Sequence, residues 1–299
     1  MIRDKQLDNY RALVMIHMVC VIHVIYWLGI FFPMQSFTLF AMSSVFFISG
    51  AAMKYSHPKS TASLLLNRFK RVLLPYYIYA GLCVCLLICV CFIPKLSVFT
   101  KFSILHYSIK DFLELIFVQG VPGIKMVYHI WFIIPYLIIT CSFNFQKQFI
   151  NKYSWKYVLI NILVIAVLYF LKVYDVDYKS FTYIQSVFYD TSLNVLAYNV
   201  FFVIGYFFSK MTISDNNLLK WWNNNGYTIY LYQNLVFVIY QRFFFYHLCS
   251  YVYNVYLRII VSFFMLFVGT MIISIFSVTI EKYIFKIFYS KNNNIHVQN

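Results

Sequence analysis

The feature that most constrains this chain is a series of apolar runs, each about 20 residues long, with few charged side chains. That length lets an α-helix cross the hydrocarbon core of a bilayer. Charged residues make up 11% of the chain, well below the roughly 25% of soluble globular proteins. The runs also lack the strict alternation of outer-membrane β-strands. The sequence therefore predicts an all-α fold, a polytopic transmembrane helical bundle of about eight, and up to ten, membrane helices.

The positions of the apolar runs place the predicted membrane helices. They cover 10–32, 37–53, 72–93, 129–145, 157–171, 193–208, 226–245 and 257–280. Segment 111–118 has an apolar face but is too short to cross, so it predicts an interfacial or re-entrant helix. We expect residues 1–290 to form a single transmembrane domain and residues 291–299 to be a disordered cytoplasmic tail.

Positive charge is concentrated at the ends of these runs. The net charge is +15, and with the N-terminus inside about two thirds of the 24 Lys and Arg lie on the inner side. This bias predicts a multi-pass protein of the inner (plasma) membrane with both termini in the cytoplasm. It also explains the basic character of the chain without a nucleic-acid partner.

The first apolar run carries three ionisable side chains: Arg11, His17 and His23. Such groups are costly at membrane depth and usually face a packed bundle or a wet cavity, where they have a function. The two histidines are about 240° apart around the helix, so they do not share a face. We interpret His17 as structural or as facing a neighbouring helix.

Six short segments occur along the chain in an order that resembles the membrane acyltransferase-3 family, bacterial integral membrane enzymes that O-acylate surface sugars. The segments are Leu7–Ala12, Ser44–Gly50, Arg68–Pro75, His129–Phe132, Phe201–Tyr206 and Gly226–Tyr232. For example, His129-Ile-Trp131-Phe132 is similar to the family's His-x-Trp-Phe, and Arg68 to Pro75 is similar to its Arg-x-x-Arg-x-x-x-Pro. The resemblance covers residues 7 to 232 and does not include the last helix.

Two positions depart from the family pattern. The family has an arginine or lysine, then ten residues, then a histidine. In this chain that position is Ile22, and His23 comes one residue later. A π-bulge within the first helix would absorb the extra residue, and such bulges are common at functional sites. The second departure is Gln233, which stands where the family often has a histidine.

The resemblance implies an O-acyltransferase that moves an acyl group, acetyl by expectation, from acyl-CoA to a hydroxyl of a surface or lipid-linked polysaccharide sugar. Acyl-CoA would be a co-substrate, with no bound cofactor and no metal. Its catalytic residues would be His23, as general base, and Arg11. Arg68 and Arg71, with Arg11, would bind the coenzyme A phosphates, because guanidinium groups bind phosphate through paired hydrogen bonds.

Three more residues, His129, Trp131 and Tyr230, are the expected substrate contacts. Each role has a plainer alternative. His23 would form only a structural hydrogen bond, the arginines would set membrane topology, and Trp131 would anchor at the lipid interface. The alternative function is a polysaccharide or lipid-linked sugar transporter or export component. A third possibility is an inactive relative that acts as a membrane partner.

Overall fold

The computed structural model describes residues 5–24, 35–54, 60–93, 107–118, 132–174, 183–207 and 217–293, and within these ranges the chain is helical and has no strand. The predicted all-α fold class is confirmed. Among the described residues, two segments, Thr61–Cys91 and Val255–Ile284, are long and apolar enough to cross a membrane. The larger number of membrane helices stays a prediction.

We number the helices in chain order, with three π-helical segments named π1 to π3. They are α1 (Lys5–Ile16), π1 (His17–Ile22), α2 (Gln35–Lys54), α3 (Thr61–Arg68), π2 (Phe69–Leu73), α4 (Leu74–Cys91), α5 (Ile109–Ile116), α6 (Ile133–Cys141), α7 (Phe143–Tyr153), α8 (Trp155–Tyr174), α9 (Tyr183–Phe207), α10 (Asn217–Ile239), π3 (Tyr240–Phe244), α11 (Phe245–Tyr251) and α12 (Val255–Asn293).

The π-bulge predicted for the first helix is confirmed by π1. The backbone N–H of His23 bonds to the carbonyl of Met18, five residues earlier, whereas an α-helix would pair it with Val19. The wider turn takes up one residue more than an α-helical turn. As a result, the residues that follow π1 keep the orientation they would have one position earlier in an unbroken α-helix.

The third predicted helix begins earlier than the sequence indicated. Residues 54–71 lie between the predicted helices 37–53 and 72–93, but α3 begins at Thr61, where the Ser60 hydroxyl accepts the Ser63 N–H at 3.2 Å. The helix then continues through π2 into α4. Pro75 would leave the carbonyl four residues before it unpaired and crowded. The π-turn directly before the proline, in which the Leu74 N–H bonds to the Phe69 carbonyl, accommodates that mismatch.

The segment between the predicted helices 193–208 and 226–245 is likewise partly helical, because α10 begins at Asn217. Its asparagines have low helix propensity. However, Leu219, Trp222 and Gly226 recur at helical spacing and are all buried, so packing overrides propensity. At the other end of the chain, α12 extends to Asn293, into the segment predicted as a tail. Residues 294–299 lie outside the described residues.

The predicted helix 129–145 is divided in the structure. Its described part consists of α6 and the start of α7, with a break at Ser142. The Ser142 hydroxyl donates to the carbonyl of Ile138 at 2.6 Å, a back-bond that bends helices. By contrast, the predicted helix 193–208 is part of one continuous helix, α9, which begins at Tyr183.

Contacts between helices show how α1, α4 and α10 are arranged. Gly226 lies against Met15, and Gln233 lies against Val19 and His23, so α1 and α10 run parallel. The Tyr227 hydroxyl donates to the Val72 carbonyl at 3.0 Å, and Val72 lies in π2, which continues directly into α4. The residues near Arg11 therefore lie toward one end of these helices, and the residues near His23 lie further along the same helices.

Helices α2 and α9 cross closely at two glycines. A Cβ atom added to Gly50 would lie 1.8 Å from the carbonyl oxygen of Phe202, and one added to Gly205 would lie 1.9 Å from that of Phe47. Each glycine thus accepts the backbone of the facing helix. Small residues at such crossings are typical of helix pairs in membranes. This contact fixes α2, which carries Phe46 and Ser49 toward the candidate site.

Candidate functional site

The candidate site is centred on His23, which lies directly after π1 and is partly buried. Its Nδ1 is 2.8 Å from Oε1 of Gln233 on α10. The amide nitrogen of Gln233 donates to the carbonyl of Val19, one turn before the histidine. Gln233 is fully buried, so its amide bridges two points of the first helix inside the protein.

These bonds determine the chemical character of the imidazole. The donation from Nε2 of Gln233 to a carbonyl orients the amide, so that Oε1 faces the histidine. An amide oxygen only accepts hydrogen bonds, and a neutral imidazole has one donor and one acceptor nitrogen. Nδ1 of His23 must therefore carry the proton. Its Nε2 is then the acceptor, which is the atom a general base uses.

Aromatic rings extend from His23 toward the middle of the bundle. Its ring centroid lies 5.1 Å from that of Tyr230, and Tyr230 meets Phe132 edge to face at 5.2 Å. Phe132 and Tyr230 are buried. The backbone N–H of Tyr136 bonds to the Phe132 carbonyl, so Tyr136 lies one helical turn further along.

Of the three predicted arginines, Arg68 contacts Tyr136 directly. Arg68 donates from Nη1 to the Tyr136 hydroxyl at 3.0 Å, and its guanidinium carbon lies 5.4 Å from the ring centroid. The charges of Arg11 and Arg71 also act on this hydroxyl. Arg71 is exposed, whereas Arg68 is partly buried. Arg11 lies 3.6 Å from the Asp8 carboxylate, and its side chain is 40% exposed.

Two of the residues predicted from the sequence, His23 and Tyr230, are in direct contact, and a third, Arg68, donates to Tyr136. Phe132, directly before α6, and Tyr136 on α6 connect the two groups. Arg11 and Arg71 are within electrostatic range of the same hydroxyl. His129 and Trp131, the other two predicted substrate contacts, lie outside the described residues. His17 is exposed, so it does not belong to this cluster.

Two residues of the cluster were not predicted. Gln233 was noted only as a departure from the family pattern, and Tyr136 was not singled out. Tyr136 gives little signal in the sequence because tyrosine is frequent throughout this chain. Gln233 is an amide within an apolar run, and a polar side chain in that position usually has a partner on another helix. That rule could have identified Gln233 from the sequence as a residue with a partner on another helix.

Helix α5 carries two acidic residues, Asp111 and Glu114, whose carboxylates could in principle bind sugar hydroxyls. Asp111 forms a capping box with Ser108, whose backbone N–H and hydroxyl both donate to its carboxylate at 2.7 Å. These bonds hold the pKa of Asp111 below its usual value. Glu114 is buried and lies 3.8 Å from Lys110. The capping role accounts for Asp111, and neither residue is part of the His23 cluster.

Within the described ranges, no group of three His, Cys, Asp or Glu side chains is placed to hold a metal ion. The seven cysteines have free thiols. No known protein family, curated protein or solved structure matches the chain.

Proposed function

We propose that this protein is a multi-pass integral membrane O-acyltransferase of the inner (plasma) membrane, with both termini cytoplasmic. It would move an acetyl or related acyl group from acyl-CoA to a sugar hydroxyl of a surface or lipid-linked polysaccharide. The observation that carries the proposal is the hydrogen bond between Nδ1 of His23 and Gln233, which leaves the other ring nitrogen as a proton acceptor. The six segments that resemble the acyltransferase-3 family supply the reaction type.

In the proposed reaction, Nε2 of His23 takes the proton from the sugar hydroxyl as its oxygen attacks the thioester carbonyl. A carbon–oxygen bond forms and the carbon–sulfur bond breaks. The proton then passes from Nε2 to the leaving thiolate, which departs as the thiol of coenzyme A. The step is balanced and needs no oxidant, reductant or metal.

The arginines near Tyr136 would bind the phosphate groups of the donor. Arg68 is oriented by the Tyr136 hydroxyl, and Arg71 is exposed and accessible from solvent. The rise of a helix places Arg11 roughly 18 Å from His23 along the first helix. That separation suits a donor whose phosphates and thioester lie at opposite ends of an extended molecule.

The decisive experiment compares His23→Asn with His17→Ala in membranes that carry the host's surface glycans, using radiolabelled acetyl-CoA. An asparagine amide at position 23 still donates to Gln233 but lacks the second ring nitrogen. We expect His23→Asn to lose about 10²- to 10⁴-fold in transfer rate, the usual contribution of a general base. His17→Ala removes an exposed imidazole from the same helix and should retain full activity. Undiminished transfer by His23→Asn would exclude His23 as the base.

Binding of coenzyme A separates the enzyme from a glycan exporter. A ligand that binds only the folded protein raises its stability, by about 2.7 kcal/mol at one hundred times the dissociation constant. We expect coenzyme A to raise the unfolding temperature of the purified protein, and a triple Arg11, Arg68 and Arg71 to Gln variant to lose this effect. Mass spectrometry of surface glycans with and without the gene would then identify the acyl group.

A further inference from the structure

We propose that Gln233 is a positioning residue that holds His23 in the Nδ1–H tautomer and aims its Nε2 at the reacting hydroxyl. This inference rests on the proposed function for its kinetic consequence, but the tautomer itself can be measured independently of activity. Gln233 does not need to touch either substrate for this role, because it acts through His23.

The first argument is the direction of the Gln233 amide. A glutamine side chain can be rotated by 180° about its last bond, which would exchange its oxygen and nitrogen. The Val19 carbonyl prevents this exchange, because a carbonyl oxygen accepts from Nε2 of Gln233 but would repel Oε1. The orientation that satisfies Val19 therefore places an acceptor against Nδ1 of His23.

The second argument is that π1 and the bridge involve the same turn of the first helix. In an unbroken α-helix, a histidine twelve residues after Arg11 would point about 100° away from the direction of a histidine eleven residues after it. In π1 the His23 N–H bonds to Met18, and the extra residue is taken up so that Nδ1 of His23 lies against Gln233. The extra residue of the first helix and the glutamine on α10 are thus parts of one arrangement. These are the two positions at which the chain departs from the family pattern.

The third argument is burial. The Gln233 side chain has no exposed surface, and a buried amide that loses its partners is costly. Tyr230 lies on the same helix and its ring lies against the His23 ring, which limits rotation of the imidazole. The histidine is therefore held by a hydrogen bond at one nitrogen and by a ring at its face.

Nitrogen-15 NMR of histidine-labelled protein measures the tautomer directly, and the His23→Asn variant identifies the His23 signals among the seven histidines. We expect wild-type His23 to show a protonated Nδ1 and an unprotonated Nε2. Gln233→Met, which has similar length but no hydrogen-bonding amide, should give a mixture of tautomers. Gln233→Glu keeps an acceptor for Nδ1, and its buried carboxyl, when protonated, donates to the Val19 carbonyl, so this variant should retain the protonated Nδ1. Gln146→Met is the matched control, since it removes a buried amide from α7 without contact with His23.

The kinetic expectation follows the same order. The transfer rate of Gln233→Met should fall by at least roughly tenfold, and at most by the full contribution of a general base, which is about 10²- to 10⁴-fold. The KM for acetyl-CoA should change little. Gln233→Glu should be partly rescued, and Gln146→Met should match wild type. A wild-type tautomer with the proton on Nε2, or an unchanged tautomer in Gln233→Met, would overturn the proposal. The expected tautomers without any detectable acyl transfer would support the role of Gln233 in orienting His23 and overturn the proposed enzyme.

Discussion

The close crossing of α2 and α9 gives the most direct test of the fold. In Gly50→Ala, the new methyl group would lie 1.8 Å from the carbonyl oxygen of Phe202, roughly 1.7 Å short of a comfortable contact. A backbone carbonyl in a helix does not move aside as a side chain does. The two helices must therefore separate, and a gap of 0.5 to 1 Å already forfeits about a quarter to a half of the dispersion energy of the atoms concerned.

Two effects oppose each other in this variant. Alanine favours the helix over glycine by about 1 kcal/mol. Overpacking of a close contact costs about 1–3 kcal/mol and occasionally more, and here the obstacle is backbone, which places the cost at the upper end. We expect a net loss of about 2 kcal/mol. For a chain of 299 residues that lowers the unfolding temperature by about 3 °C.

Gly81 on α4 provides the matched control, because a Cβ atom added there meets nothing within 4 Å. Gly81→Ala should keep only the gain in helix propensity and unfold at the same temperature as wild type or slightly above it. Thermal unfolding of both purified variants in one detergent measures the difference. Equal unfolding temperatures for Gly50→Ala and Gly81→Ala would show that α2 and α9 do not approach each other this closely.

Two further outcomes are expected. Arg68→Lys should raise the KM for acetyl-CoA several-fold in steady-state kinetics and leave kcat nearly unchanged, because lysine lacks the paired N–H groups that bind phosphate. An equal fall in kcat would contradict a role confined to binding acetyl-CoA. For α5, the depressed pKa of Asp111 means that its carboxylate stabilises the helix above the pKa of the unfolded chain, and that this contribution is lost as the pH falls through the folded value. Amide-exchange protection of Ile109–Ile116 should therefore decrease below about pH 4, and Asp111→Asn should abolish that pH dependence; protection that stays constant in wild type would contradict the capping role.

The sequence was most informative where apolar runs are continuous. The predicted helix 37–53 corresponds closely to α2, because nothing in that run competes with helix formation. The predicted helix boundaries were wrong at the polar ends of helices, as at the start of α3 and of α10. There the helix is stabilised by tertiary packing of residues such as Leu64 and Trp222, which local composition does not reveal.

For the candidate site, the sequence singled out His23, Tyr230 and the arginines, whose roles stay predictions, but not the residues that connect them. The pairs His23–Gln233 and Arg68–Tyr136 are 210 and 68 residues apart in the chain. No local pattern encodes such contacts, because they depend on which helices are neighbours and on their rotation. The π-segment was inferable for a different reason, because the spacing from Arg11 to His23 is one residue longer than in the family that the chain resembles.

That mismatch leads to a last test, in which the π-segment itself is removed. At about 100° per residue, a histidine eleven positions after Arg11 lies only about 20° from it around an α-helix, whereas one twelve positions later lies about 120° away. π1 compensates for the extra residue. Deleting Val21, an exposed residue of π1, should convert the segment to an α-helix and keep the histidine against Gln233. The Val19 carbonyl can then accept from both the histidine N–H and the Gln233 amide, because it has two lone pairs. We expect this deletion to retain the Nδ1–H tautomer and most of the transfer activity, whereas inserting one alanine after Val21 should abolish both. Loss of both properties in the deletion variant, with the insertion tolerated, would show that π1 does not set the orientation of His23.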